Sequence, residues 1–195
     1  MRTQISFLVV LVCLAPAALA QDVEFFGGYS HLQTTGTGGE HVGINGFDAA
    51  LSANFGSWGV VADASNYYGA STNNFTPVGS GGHGLMYLFG PQYSFRLVPR
   101  VTPFVHVLFG RVDGARETVE PLAPGGACPS PGCSGISVTP EAAFAMAVGG
   151  GLDLKVRKHV WVRLIQADYI RQGFSFGAMN NPRISAGIVF RLGRP

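Results

Sequence analysis

The stretch VTPEAAFAMAVGGGLDLKV, residues 138–156, alternates two kinds of side chain with a period of two. Large apolar residues such as Phe144 and Met146 fall on one face, whereas small residues and the charged Asp153 fall on the other. Successive side chains of a β-strand point to opposite faces, so this period indicates a strand. Glycine and charge interrupt the stretch too often for a membrane-spanning helix, which needs about 20 mainly apolar residues. The stretch therefore predicts a strand with one apolar face and one small, polar face.

The same alternation recurs along the chain, and no segment carries a helical period. Each alternating segment is long enough to cross a bilayer as a tilted strand, which takes about 9–11 residues. The predicted strands are 22–33, 43–55, 58–69, 83–96, 101–114, 140–156, 159–174 and 182–193.

Short and long connections alternate between these strands. Tight turns are expected around 56–57, 97–100 and 156–159. Long loops rich in Gly, Ser, Thr, Asn or Pro are expected at 34–42, 70–82 and 115–139, with a shorter one near 175–181. Strict alternation of this kind is typical of bacterial outer-membrane barrels, which have short periplasmic turns and longer external loops.

Side-chain size indicates which face lies inside. The interior of an eight-stranded barrel is just wide enough to be filled by side chains. The polar face is also the small face, whereas Phe, Tyr, Leu and Met occupy the apolar face, which lipid can accept. Charged residues make up only 12% of the chain, which is low for a water-exposed surface. The predicted fold is all-β, an eight-stranded antiparallel up-and-down transmembrane β-barrel with its polar face inside.

The first twenty residues are expected to be a signal peptide. Arg2 supplies a positive n-region, Ile5–Leu14 a short apolar region, and Ala18-Leu19-Ala20 a cleavage site. We therefore expect residues 21–195 to form one outer-membrane β-barrel domain, located in the cell outer membrane.

Six segments of the sequence resemble segments of a known protein family. The sequence resembles the small bacterial outer-membrane β-barrel family that includes the OmpA transmembrane domain and the OmpX/Ail group. The resemblance covers essentially the whole of 21–195 and implies the same barrel fold. Unlike many such barrels, the chain does not end on an aromatic residue, because five residues follow Phe190. The segments that carry the resemblance are VEFFGGYSHL (23–32), NFGSWGVVADASNYYG (54–69), LFGPQYSFR (88–96), RVTPFVHVLFG (100–110), VRLIQADYI (162–170) and RISAGIVFRLG (183–193).

Ionisable residues on the predicted inner face form the main candidate site. Arginine suits a poorly hydrated interior because its planar fork binds carboxylates bidentately. Arg163 has the opposite parity to Gln166 and Asp168, so a β-bulge near Leu164–Ile165 is needed to place all three inside. The network is interpreted as a structural plug, with a polar conduit as the alternative. Its predicted members are Glu24, Asp48, Asp63, Arg96, Asp153, Arg163, Asp168, Arg183 and Arg191, with His106 as a further candidate.

Aromatic residues gather near both predicted strand ends, as expected for girdles at the two membrane interfaces. The predicted periplasmic set is Trp58, Tyr93, Phe95, Trp161 and Phe190, and the predicted external set is Tyr29, Tyr67, Tyr68 and Phe174.

Other sites are weaker. Cys128 and Cys133 flank a Pro/Gly-rich spacer in an exported chain, which favours a local disulfide over a metal or redox site.

The residue types of a hydrolase are present as Ser65, His106 and Asp63, or His83, but such sets also arise by chance. We therefore expect no enzyme activity, no catalytic residues, no cofactor and no metal.

The expected function is structural or surface-interactive. A plugged monomer would contact outer-membrane lipid and display loops 34–42, 70–82 and 115–139 to an extracellular ligand or partner. No basic block suggests nucleic acid. The alternatives are a small-solute channel, a lipid-modifying outer-membrane enzyme and a soluble ligand-carrying barrel.

Overall fold

A computed structural model describes residues 22–35, 41–68, 84–96, 98–121, 134–174 and 177–193. The predicted signal peptide and the predicted Cys128–Cys133 disulfide lie outside these residues. The strands are β1 (Asp22–Thr35), β2 (His41–Phe55), β3 (Trp58–Tyr68), β4 (Gly84–Ser94), β5 (Val101–Pro121), β6 (Ser134–Lys155), β7 (Val160–Phe174) and β8 (Gly177–Gly193).

The strands close into one antiparallel barrel. Each strand pairs with the next, and β8 returns to pair with β1, with Asp22 opposite Gly193. This confirms the predicted fold class. The β2–β3 connection is a two-residue turn in which Gly56 has a φ of 66°, a left-handed conformation that glycine adopts without a steric penalty.

No helix in the described part of the chain has the length and apolar character needed to span a membrane.

The two faces of the wall are chemically opposite. Large apolar side chains stand exposed on the outside, as Phe89 (64% exposed) and Phe144 (61%) illustrate. Ionisable side chains are buried inside, as Asp48 (1%) and Arg183 (0%) illustrate. This is the reverse of a soluble barrel, in which the apolar face would fill the interior and charges would cover the outside.

The bulge predicted in the seventh strand is confirmed. The register of β7 shifts between Arg163 and Gln166, and Leu164 and Ile165 both lie exposed on the outer face. The extra outward residue restores the parity, so Arg163, Gln166 and Asp168 are all buried inside.

The predicted loop 115–139 was wrong at both ends. β5 continues to Pro121 and β6 begins at Ser134, with residues 114–121 paired to residues 134–141. Thr118 and Val119 in one end, and Ile136, Val138 and Thr139 in the other, have high strand propensity. Pairing of β4 with β5 stops at Asp113, and pairing of β7 with β6 stops at Phe144. Within the described residues, 114–121 and 134–141, here called the β5–β6 ribbon, therefore pair only with each other.

Two predicted girdle residues were also wrong. Trp161 and Tyr67 are 7% and 3% exposed, because they share strand parity with the inward Arg163 and Ser65. Trp58 and Tyr68 do lie exposed, at opposite ends of the barrel.

Deleting Ile165 tests the bulge. Without this residue, either Arg163 or the pair Gln166 and Asp168 must turn to the apolar exterior, so the folded barrel should be lost. The measurement is the mobility difference between boiled and unboiled samples on SDS gels. Ile165→Val, which keeps the residue count, should retain the difference; equal folding of both variants would contradict the bulge assignment.

Candidate functional site in the barrel interior

Arg183 is the centre of the buried ionisable residues. It lies on β8 and is fully buried. Its two terminal nitrogens donate to the two carboxylate oxygens of Asp63 on β3, at 3.0 and 3.1 Å. Its Nε donates to Oδ2 of Asp168 on β7 at 2.8 Å, and Oδ2 of Asp48 on β2 lies 3.7 Å from Nη1. The fork of the guanidinium thus joins four strands across the interior, as bidentate pairing allows.

Asp168 has two further partners, His106 on β5 and Gln166 on its own strand. Nε2 of His106 lies 2.7 Å from its Oδ1, and Nε2 of Gln166 donates to its Oδ2 at 2.8 Å. His106 on β5 and Asp168 on β7 both stand opposite Gly149 of the intervening β6. Because Gly149 has no side chain, the imidazole and the carboxylate can meet above it. The glycine run of β6 therefore leaves room for a contact between strands that are not adjacent.

A second cluster centres on Arg163. Its Nε and Nη2 donate to the Asp153 carboxylate at 2.9 and 3.3 Å, and its Nη1 donates to Gln166 Oε1 at 2.7 Å. Gln166 therefore connects this cluster to Asp168. The guanidinium carbon lies 4.3 and 4.2 Å from the ring centres of Phe26 and Phe104, within the range of cation–π attraction. A side chain at Gly151 would meet the Phe104 ring, so this glycine makes room for the stack.

Arg191 and Arg96 extend the charges to the end of the barrel that carries the short turns. Arg191 lies 2.8 Å from Glu24 and 3.3 Å from Asp153, with its guanidinium carbon 3.8 Å from the Trp161 ring centre. Arg96 was predicted inside but lies at the rim, with 31% of its side chain exposed, because β4 ends at Ser94. It pairs with Asp22 and lies 3.6 Å from Glu24.

The predicted inner residues are thus brought together in two linked clusters. Glu24, Asp48, Asp63, Asp153, Asp168, His106, Arg163 and Arg183 are all buried, and Arg191 is nearly so.

Sequence reasoning missed an apolar layer that fills the half of the interior nearer the long loops. These residues share strand parity with the polar inner residues, and that parity was the available signal. Ser30 hydrogen-bonds Tyr67 at 3.1 Å and Ser185 at 2.9 Å at the edge of the layer. Members of the layer are Leu32, Ile44, Tyr67, Met86, Leu88, Leu108, Val112, Ala143, Ala145, Ala147 and Ile170, and the layer continues to Val61 on the side of the β2–β3 turn.

The described hydrogen bonds do not join Ser65, His106 and Asp63, the hydrolase residue types considered from the sequence. His106 contacts Asp168, whereas the Ser65 hydroxyl accepts a hydrogen bond from Arg183 at 3.4 Å. His83 lies outside the described residues. Within the described ranges, no three His, Cys, Asp or Glu side chains are grouped to hold a metal ion.

Solved structures of small outer-membrane barrels share this fold. Neisserial surface protein A is 12% identical, with a TM-score of 0.58, over 86% of this chain and 96% of its own. Ail of Yersinia pestis, solved with the heparin analogue sucrose octasulfate, is 14% identical, with a TM-score of 0.54, over 88% and 99%. The N-terminal β-barrel domain of Pseudomonas aeruginosa OprF is 11% identical, with a TM-score of 0.52, over 89% and 98%. The resemblance expected from the sequence is confirmed at the level of the fold.

No protein-family model and no curated protein matches the sequence.

Replacing Arg183 tests the first cluster. Arg183→Gln removes the cation from three buried carboxylates, and breaking a buried pair in this way costs about 3–5 kcal/mol. The free energy of unfolding should fall by that order, measured by urea titration of the folded barrel in lipid vesicles. Arg111→Gln is the matched control: Arg111 is an exposed arginine paired with Asp113, and its loss should change little. Equal effects of the two changes would contradict the role given to Arg183.

The role of Gly149 is tested with a second glycine. A Cβ at Gly149 would clash with the Asp168 carboxylate and the Ala167 carbonyl oxygen, whereas a Cβ at Gly27 would meet nothing within 4 Å. Gly149→Ala should therefore lower the unfolding free energy by about 1–3 kcal/mol, as overpacking does. Gly27→Ala should leave it nearly unchanged in the same titration. A harmless Gly149→Ala would show that the His106–Asp168 contact does not depend on this gap.

Proposed function

We propose that this chain is an integral outer-membrane barrel with a plugged interior, which interacts with partners at the cell surface. The observation that carries the proposal is that the two faces of the barrel wall are the reverse of those in a soluble barrel: charges are buried inside and large apolar side chains are exposed outside. In water such an exterior would aggregate, since soluble monomers rarely expose apolar patches above a few hundred Å². In a bilayer it is the favourable arrangement.

The apolar residues on the outer face form a band about as tall as the apolar part of a membrane. Along β5 the outward residues from Val101 to Phe109 are apolar, and the next outward residue is Arg111. Along β7 the apolar outward residues end at Tyr169 and are followed by Arg171. A run of this length in tilted strands fits the apolar band of about 25 Å in membrane barrels.

Aromatic residues mark the edges of the band. At the end with the short turns, Trp58 packs edge-on against Tyr93 at 5.0 Å, and Tyr93 against Phe95 at 4.9 Å. At the other end Tyr29 and Tyr68 are exposed, and the Tyr29 hydroxyl donates to Asn45 at 2.6 Å. Rings with an apolar body and a polar tip suit the two interfaces of a membrane.

The side chains of the interior favour a plugged barrel over an open channel. Arg183 binds the Asp63 carboxylate across the interior, Arg163 binds Asp153 on the adjacent β6, and the rings of Phe26 and Phe104 flank Arg163. An apolar layer lies beyond these charges toward the loops. A solute would have to separate ion pairs and then pass apolar side chains. The general expectation for eight strands is also a filled interior.

The β5–β6 ribbon supports a surface role. Its two strands bond each other, and neither has a further strand beside it in the described chain. Their outer edges thus offer backbone N–H and C=O groups that a partner strand can pair with. The predicted loop 34–42 is shorter than expected, because Thr35 and His41 are paired strand residues. The described ends of β1, β2, β3 and β4 at Thr35, His41, Tyr68 and Gly84 lie at the same end of the barrel as the ribbon. Ail, a barrel of this fold, was solved with a sulfated-sugar ligand, which supports ligand binding as a role for such a scaffold.

A charge placed on the outer face tests the membrane location. Val148 lies mid-strand on β6, outward and 47% exposed. Val148→Arg should destabilise the barrel in lipid vesicles by about 2–4 kcal/mol, the cost of arginine near the bilayer midplane. The measurement is urea titration, with Val148→Leu as the control. A change of less than about 0.5 kcal/mol, the usual size for an exposed site in water, would contradict a lipid-facing position.

Planar-bilayer recording tests the plug. Folded protein at neutral pH should give no discrete conductance steps, because the ion pairs and the apolar layer block the interior. A mobility shift on SDS gels, checked on the same preparation, shows that the inserted protein is folded. Regular steps from that preparation would favour the small-solute channel instead.

A further inference from the structure

The end of the barrel that carries the short turns has an unbalanced positive rim. Arg100 follows β4 and precedes β5, Lys155 ends β6, and Arg157 and Lys158 form the β6–β7 turn. All four are exposed. These four residues are here called the turn-end rim.

Backbone hydrogen bonds hold the two turns side by side. The Lys155 N–H donates to the Arg100 carbonyl at 2.8 Å. The β6–β7 turn is closed by the N–H groups of Val156 and Arg157, which donate to the Val160 carbonyl at 3.0 and 2.9 Å. The four cations therefore belong to one continuous surface with a fixed backbone.

No carboxylate of the described chain neutralises the turn-end rim. Asp22 at this end pairs with Arg96. Glu24 and Asp153 are buried and pair with Arg191 and Arg163. Among the described residues, the rim makes one side-chain contact: the Nζ of Lys155 lies 5.6 Å from the Trp161 ring centre.

Exposed apolar residues are interleaved with these cations. Val98 and Val156 are 53% and 58% exposed, and each lies within two residues of a rim cation. Valine beside lysine and arginine suits the boundary of a membrane, where the apolar group meets acyl chains and the cation meets headgroups. A surface that bound an anionic polymer in water would leave these valines in water.

We propose that the turn-end rim binds anionic phospholipid headgroups in the leaflet that faces the short turns. The inference rests on the proposed membrane location and adds a ligand class to it. The phosphates attract the four cations, and the valines enter the upper acyl region. Long-range attraction of this kind falls with salt because it is screened.

Spin-labelled lipids provide the test. The full chain is folded into phosphatidylcholine vesicles that contain a trace of spin-labelled phosphatidylglycerol or phosphatidylcholine. The ratio of the two immobilised fractions measures preference for the anionic lipid. Each cation near an anionic surface is worth roughly a fivefold factor, and only a few boundary sites carry one, so we expect an average preference of about twofold. Neutralising all four rim cations should bring the ratio close to one. The variant carries Arg100→Gln, Lys155→Gln, Arg157→Gln and Lys158→Gln.

Two controls separate charge from other causes. Arg100→Lys with Arg157→Lys keeps all four charges and should keep the wild-type ratio. Arg111→Gln with Arg171→Gln neutralises the exposed cations at the opposite edge and should also preserve most of the preference. If the preference disappears with this second pair and survives in the neutral rim, the inference is overturned.

The membrane location is judged separately on the same samples. Insertion with a mobility shift but equal binding of both lipids would overturn the rim inference alone. Failure to insert into any vesicle would overturn the proposed membrane location, and the inference with it.

Discussion

The Arg183 guanidinium, fully buried and shared among three carboxylates, is the interaction on which the rest of the barrel depends. Removing one ion from water costs several kcal/mol even after relaxation, so a buried arginine needs well-placed partners. Asp63, Asp168 and Asp48 reach it from β3, β7 and β2. These contacts fix how the strands face one another across the interior. A strand that slipped by one residue would turn its charge to the outside.

Other local features follow from this arrangement. The bulge at Leu164–Ile165 brings Arg163 and Asp168 to the same face of β7. Gly149 leaves the gap through which His106 reaches Asp168. Both features weaken ordinary strand pairing, and both serve the buried charges. The exterior is then left apolar, and this is the physical reason for placing the barrel in a membrane.

Strand parity explains how much could be predicted from the sequence. Alternation of apolar and small polar residues gives the eight strands and the inner face, and the parity conflict at Arg163 gives the bulge. Partners could not be predicted, because the pairing of Arg183 with Asp63 depends on strand stagger around the barrel, which no local pattern encodes. Trp161 lies near a strand end, as girdle residues do, but its parity with Arg163 turns it inward. The β5–β6 ribbon was missed because its ends adjoin a Pro/Gly-rich segment.

The two tryptophans of the chain report on the two faces of the wall, the apolar exterior in lipid and the charged interior. Trp58 is 63% exposed on the outer face and Trp161 is 7% exposed inside. Trp161→Phe and Trp58→Phe each leave one of them, and each protein is folded into vesicles of brominated phosphatidylcholine, which quenches rings in contact with acyl chains. Strong quenching of Trp58 and little quenching of Trp161 are expected. Quenching of Trp161 above that of Trp58, or recovery of the folded protein in the aqueous phase with neither quenched, would contradict this placement of the two faces.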